Sequence, residues 1–165
     1  TLAPISLVQA AILTAGFVRV IHVPQNDLLL DTDFELYITV LLILLSSASM
    51  GLLVSAAFKN SESAILFVLV LIIAQVVFSG ALFPVSGAMT AIGYLVTCRW
   101  GMGAFGASTD LNSRLVWLNV GLDSPMYNAT VPNLIHCWQM LGLLSVVCLI
   151  AAGLVLKIGF ARRKG

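Results

Sequence analysis

Residues 36–58, LYITVLLILLSSASMGLLVSAAF, and residues 64–85, AILFVLVLIIAQVVFSGALFPV, decide the fold between them. Each is apolar on every helical face, and at about 1.5 Å per residue each is long enough to cross a hydrocarbon core of about 30 Å. Only KNSES, residues 59–63, separates them. So short a link predicts an antiparallel membrane hairpin, with Ser61 or Asn60 capping the second helix and Glu62 near its positive end. Further apolar runs of spanning length lie at 5–23 and 137–158. The chain therefore reads as an all-α integral membrane protein with four transmembrane helices, and residues 1–165 as one membrane domain. Its composition, 60% hydrophobic and 9% charged, leaves too few polar groups to clothe a water-soluble domain of this size.

The charges assign an orientation. Lys59, Lys157, Arg162, Arg163 and Lys164 gather on one side with Glu62, whereas Arg19, Arg99 and Arg114 share the other with Asp27, Asp31, Asp33, Glu35, Asp110 and Asp123. The positive-inside rule counts Lys and Arg, so the Lys59 turn and the basic tail are expected in the cytoplasm, and with four spans Thr1 as well. The net charge of +1 hides this split and gives no reason to expect a nucleic-acid partner. Thr1 is not an initiator and the first residues lack signal-peptide features, so the chain is expected to be part of a longer polypeptide.

Residues 88–107 are apolar enough for a fifth span, yet they hold Arg99 and glycines at 93, 101, 103 and 106, with Gly87 just before. A lipid-facing helix is weakened by each glycine and by the arginine, whereas a re-entrant segment packed on protein tolerates both. A crossing here would also carry the basic tail to the acidic side. The segment is therefore expected to be a re-entrant pair of short helices entering from outside, with residues 108–136 as an external loop.

Single residues add detail. Ser47, Gly51 and Ser55 recur every fourth residue, a small-residue stripe suited to close helix packing. Gln75, strongly polar within an apolar span, should face another helix or a pathway: interhelical glue and substrate contact both remain open. The acidic stretch at 24–35 lacks the glycine turn and ligand order of a calcium loop and is expected to be solvated. Ser108, Asp110 and His136 have no nucleophile elbow around them, and His22, His136 and Cys137 match no zinc spacing, so neither catalysis nor a metal is expected. Cys98 and Cys137 both fall near the outer face, where a disulfide is permitted. Asn128-Ala129-Thr130 is a glycosylation sequon, meaningful only in a eukaryotic secretory pathway.

Phe78-Ser79-Gly80-Ala81-Leu82-Phe83-Pro84, followed by Cys98-Arg99-Trp100-Gly101-Met102-Gly103-Ala104-Phe105, resembles the membrane domain of ABC exporters of the second exporter type, which includes the ABCG subfamily. On this resemblance the four spans are the last four of six, and Arg99, Trp100 and Gly101 form the re-entrant element. A bulky apolar pair seals the outward route in ABCG exporters; Ala81 and Leu82 occupy those gate positions, and only Leu82 keeps the bulk. Bacterial relatives often carry an acidic residue where this chain has Gly103.

The resemblance implies a permease working by alternating access on an amphipathic or lipid-like substrate, with Phe67, Leu71, Gln75 and Phe78 lining the pathway. Its implied partners are an ABC nucleotide-binding domain in the same or an adjacent polypeptide, holding ATP and Mg, a second permease half, and the bilayer of the plasma membrane. The chain itself has no Gly-x-x-x-x-Gly-Lys-Ser/Thr loop, so no ATPase activity is expected in it. The alternative is a non-transporting four-span scaffold or assembly subunit.

Overall fold

The computed structural model describes residues 2–20, 28–80, 89–113 and 125–164. Among them the chain is helical and holds no strand: α1 (Leu2–Val20), α2 (Thr32–Ala57), α3 (Ser61–Val77), α4 (Met89–Gly93), α5 (Thr97–Ser108) and α6 (Val131–Lys164), with a 3-10 turn at Pro125–Tyr127. α2 and the Val131–Ile158 part of α6 are long and apolar enough to cross a bilayer, with mean hydropathy of 2.2 and 2.5. Pro4–Val20 of α1 and the whole of α3 are apolar but shorter. Ile65, Leu66, Leu69 and Val70 on α3, and Val146, Val147, Ile150 and Leu154 on α6, are all exposed. So much open apolar side chain suits a lipid surround and would drive association in water.

α5 is the hub. It packs on α6, α2, α3 and the 3-10 turn, and Trp100, Ala104 and Ala107 join Leu134, Cys137 and Leu141 of α6 in the core. Its small residues make that possible. A Cβ on Gly101 would meet Ile43 Cδ1 at 2.7 Å, one on Gly103 would meet Cys137 Sγ and Met126 Cε at 3.0 Å, and one on Gly106 would enter the Tyr127 ring. The glycines that weaken α5 as a lone helix let three different neighbours touch its backbone.

α2 and α6 form the most extensive helix pair. They start together and run the same way, since Trp138 donates its indole N–H to Thr39 Oγ1 at 2.9 Å, each about two turns into its helix. α1 leans on α2, where the Tyr37 hydroxyl reaches the Leu7 carbonyl at 3.4 Å, and on α5 through Phe17 and Phe105, whose ring centroids are 6.0 Å apart. α3 follows α2 after a short turn but has no buried residue.

Several boundaries differ from the sequence expectation, three of them with a clear physical cause. α2 begins at Thr32 and takes in Asp33 and Glu35, which the solvated-loop reading had placed outside it. Glu35 is fully buried and folds back to accept the Leu29 and Leu30 N–H groups at 2.7 and 3.2 Å. A carboxylate in a first helical turn offsets the positive helix end, which is why charge did not stop the helix. α3 ends at Val77, before the expected Val85: Gly80 adopts φ +80°, a left-handed conformation suited to a glycine stop. α6 begins at Val131, inside the expected external loop, because Pro132 is tolerated in a first turn where no intrahelical N–H bond is lost. Cys98, Cys137 and Cys148 are free, so the permitted Cys98–Cys137 bridge is not formed.

Candidate functional site

Polar bonds inside this apolar domain converge on the start of α5. Ser46 Oγ and Thr97 Oγ1 lie 3.1 Å apart, joining the middle of α2 to the first residue of α5. One residue on, the Cys98 backbone N–H donates to Gln75 Oε1 at 2.9 Å, and the Gln75 amide reaches back to Met50 Sδ at 3.3 Å. Gln75 thus ties α3 to both α5 and α2. The amide can do this because it carries a donor and an acceptor on one side chain.

Arg99, Trp100 and Gly101 then take three different directions. Trp100 turns into the core, donates its indole N–H to the Tyr94 carbonyl at 3.0 Å, and packs against the Tyr94 and His136 rings at 5.5 and 5.4 Å. Gly101 meets Ile43 of α2. Arg99 is half-buried, its guanidinium 5.9 Å from the Tyr94 ring centroid, with Nη1 sealed beside Gly93 and lacking a hydrogen-bond partner.

Phe67, Leu71, Gln75 and Phe78 follow one another along one face of α3. Phe67 is exposed and stacks at 5.0 Å on Phe58, while Leu71, Gln75 and Phe78 are half-buried. Ser47, Gly51 and Ser55 are exposed, and a Cβ on Gly51 would meet nothing within 4 Å. The small residues of α2 that pack within the chain are Ser46 and Ser49, one register away. Ala81 and Leu82 lie outside the described residues, as does His22. Ser108 is fully buried with an unpartnered Oγ and the His136 ring lies on Trp100, so Ser108 and His136 form no hydrogen bond. Among the described residues no three His, Cys, Asp or Glu side chains come together as metal ligands.

Sequence reasoning missed Tyr127. It is almost wholly buried, donates its hydroxyl to the Gly80 carbonyl at 3.0 Å, and so ties the end of α3 to the turn before α6. Burial pushes its phenol above the usual tyrosine range, with the nearby Arg99 charge pulling the other way. No local motif marks it; only the small residue at Gly106 hints that something large lies above α5. Glu35 was missed for the opposite reason, since its acidic neighbours Asp31 and Asp33 disguise a residue that is buried.

A family model described as ABC-2 type transporter matches residues 1–109, which run from α1 to the end of α5. An ABC transporter ATP-binding/permease protein of Mycobacterium tuberculosis is 35% identical over 81 residues, 48% of this chain and 9% of that protein. The chain thus spans a small part of the curated relative it matches. No solved structure matches it.

Proposed function

The chain belongs to the ABC-2 type transporter family, and from that premise we propose that it forms the membrane pathway of an ATP-driven exporter. The observation that carries this reading is the extent of the family match, which takes in α1, α2, α3 and the α4–α5 region as one unit. The relative whose name joins ATP-binding to permease supports an ABC nucleotide-binding domain as the partner, holding ATP and Mg, in the same or a neighbouring polypeptide. A second permease half would complete the pathway in the plasma membrane, with the basic end of α6 in the cytoplasm.

A substrate moving along α3 would meet Phe67, Leu71 and Phe78, an apolar wall suited to an amphipathic or lipid-like molecule. Alternating access needs an element with two arrangements, and ATP-driven closure would bias it. α3 suits that part because it is bound to its neighbours through few groups, Gln75 chief among them, and buries no residue. The re-entrant reading of α4 and α5 is supported by their lengths and by α5 starting against the middle of α2. Leu82 remains the proposed outward seal beside Ala81.

Reconstitution tests the assignment. The full transporter, co-expressed with its ATPase component and placed in vesicles, should move a fluorescent amphiphile only with hydrolysable ATP. If no nucleotide-binding component co-purifies and no ATP-dependent flux appears, the non-transporting scaffold is the better account.

A further inference from the structure

Arg99 holds a positive charge that no acidic side chain offsets among the described residues. Two residues earlier, Thr97 is bonded to Ser46 at the middle of α2, which places this part of α5 within the depth of the domain. No Asp or Glu among the described residues forms an ion pair with it. The residues leading into α4, 81–88, contain no Asp or Glu at all. The nearest compensation is the Tyr94 ring at 5.9 Å, close to the outer limit of about 6 Å for a cation over an aromatic face. The first turn of α5 has no acidic residue either, and the Gln75 amide that accepts the Cys98 N–H brings no negative charge. A cation at membrane depth is expensive unless an anion meets it.

The surroundings also suit an apolar tail. Ile92, Tyr94 and Leu95 are exposed beside Arg99, and the open face of α3 lies across the Gln75–Cys98 bond. Resting on the transporter reading, we propose that the Arg99 guanidinium binds the anionic headgroup of an amphiphile, a phosphate or carboxylate carried on an apolar chain. The guanidinium fork presents paired donors to two oxygens of one headgroup, and the tail lies over Ile92, Tyr94 and Leu95. Nη1 stays sealed against Gly93, so the headgroup meets the remaining, more accessible donors.

The full transporter with its ATPase component, purified in neutral maltoside detergent without nucleotide, is titrated with dodecyl phosphate and followed by tryptophan fluorescence, Trp100 being the adjacent residue. Binding should saturate, weaken with added salt, weaken about ten-fold or more in Arg99→Gln, and weaken less in Arg99→Lys, which keeps the charge but loses the fork. At matched ionic strength, inorganic phosphate should not compete. In lipid discs, competition by phosphatidylglycerol identifies a bilayer lipid as the occupant, and its absence identifies cargo; both carry an anionic headgroup on an apolar chain. Equal affinity in wild type and Arg99→Gln overturns the proposal, as does displacement by inorganic phosphate. Should Arg99→Gln lose its folded elution profile, wild-type binding that ignores salt overturns it instead. Because nucleotide is absent, Arg99-dependent binding without ATP-driven flux would remove the exporter reading and leave the headgroup site standing.

Discussion

At Gly106 the α5 backbone lies directly under the Tyr127 ring, and the atoms in the way include Tyr127 Cγ and Cβ at 3.0 and 3.1 Å. These belong to the stem of a buried side chain whose hydroxyl is held by Gly80, so the ring cannot turn aside without losing that bond. Gly101 differs. Its closest contact is Cδ1 of Ile43, the far end of a flexible chain that can change rotamer. Gly51 meets nothing. Gly106→Ala should therefore cost about 1–3 kcal/mol through overpacking, Gly101→Ala distinctly less, and Gly51→Ala should be neutral or stabilising by up to about 1 kcal/mol from helix propensity. Thermal unfolding of the three variants in one detergent gives the order, and a Gly106→Ala protein melting with Gly51→Ala would show that Tyr127 does not pin α5.

Among the four longer helices, α3 is held least, and Gln75 is the residue whose role the sequence left open between glue and substrate contact. Its amide accepts from Cys98 and donates to Met50, so Gln75→Leu leaves a backbone N–H of α5 without its acceptor. A loss of about 1–3 kcal/mol is expected, and Gln75→Glu, which keeps an acceptor oxygen, should lose less. Unaltered melting of Gln75→Leu together with altered transport would move Gln75 into the pathway.

The helices themselves were readable because lipid imposes an uninterrupted apolar run, a strong and local signal. Their ends were not. Glu35 looks like a loop residue by composition, but its backbone N–H bonds the Asp31 carbonyl in the first turn of α2 while its side chain caps the Leu29 and Leu30 N–H groups. The small-residue stripe shows a similar limit: Ser46 and Ser47 are equally small, but which one meets α5 depends on helix rotation, and that is set by Thr97 some fifty residues away. Tyr127 is further still from any local rule, since its partners, Gly80 and Gly106, come from other elements.

For the whole molecule, the bond between Tyr127 and Gly80 constrains topology more than any hydropathy window. It brings Gly80, three residues beyond α3, beside Tyr127, four residues before α6, so the chain that leaves this level of the domain after Gly80 is back at it by Tyr127. α5, at 12 residues, extends only about 18 Å, too short for a core of about 30 Å, and α4 is shorter still. These lengths support the proposal that α6 sets out from the side at which α3 arrives. On the proposed re-entrant reading, Ser61, at the start of α3, and Lys164, at the end of α6, are expected on one side of the membrane, and the excess of Lys and Arg there predicts that it is the cytoplasmic one. With Cys98, Cys137 and Cys148 replaced by Ala, single cysteines at Ser61 and Lys164 should react with a membrane-impermeant maleimide only in inverted vesicles. Cysteines at Asp31 and Asn119 should react only in intact cells. If the positions at Asn119 and Lys164 are labelled from the same side, α4 and α5 form part of a crossing, and the contact between Tyr127 and Gly80 does not exist in the membrane.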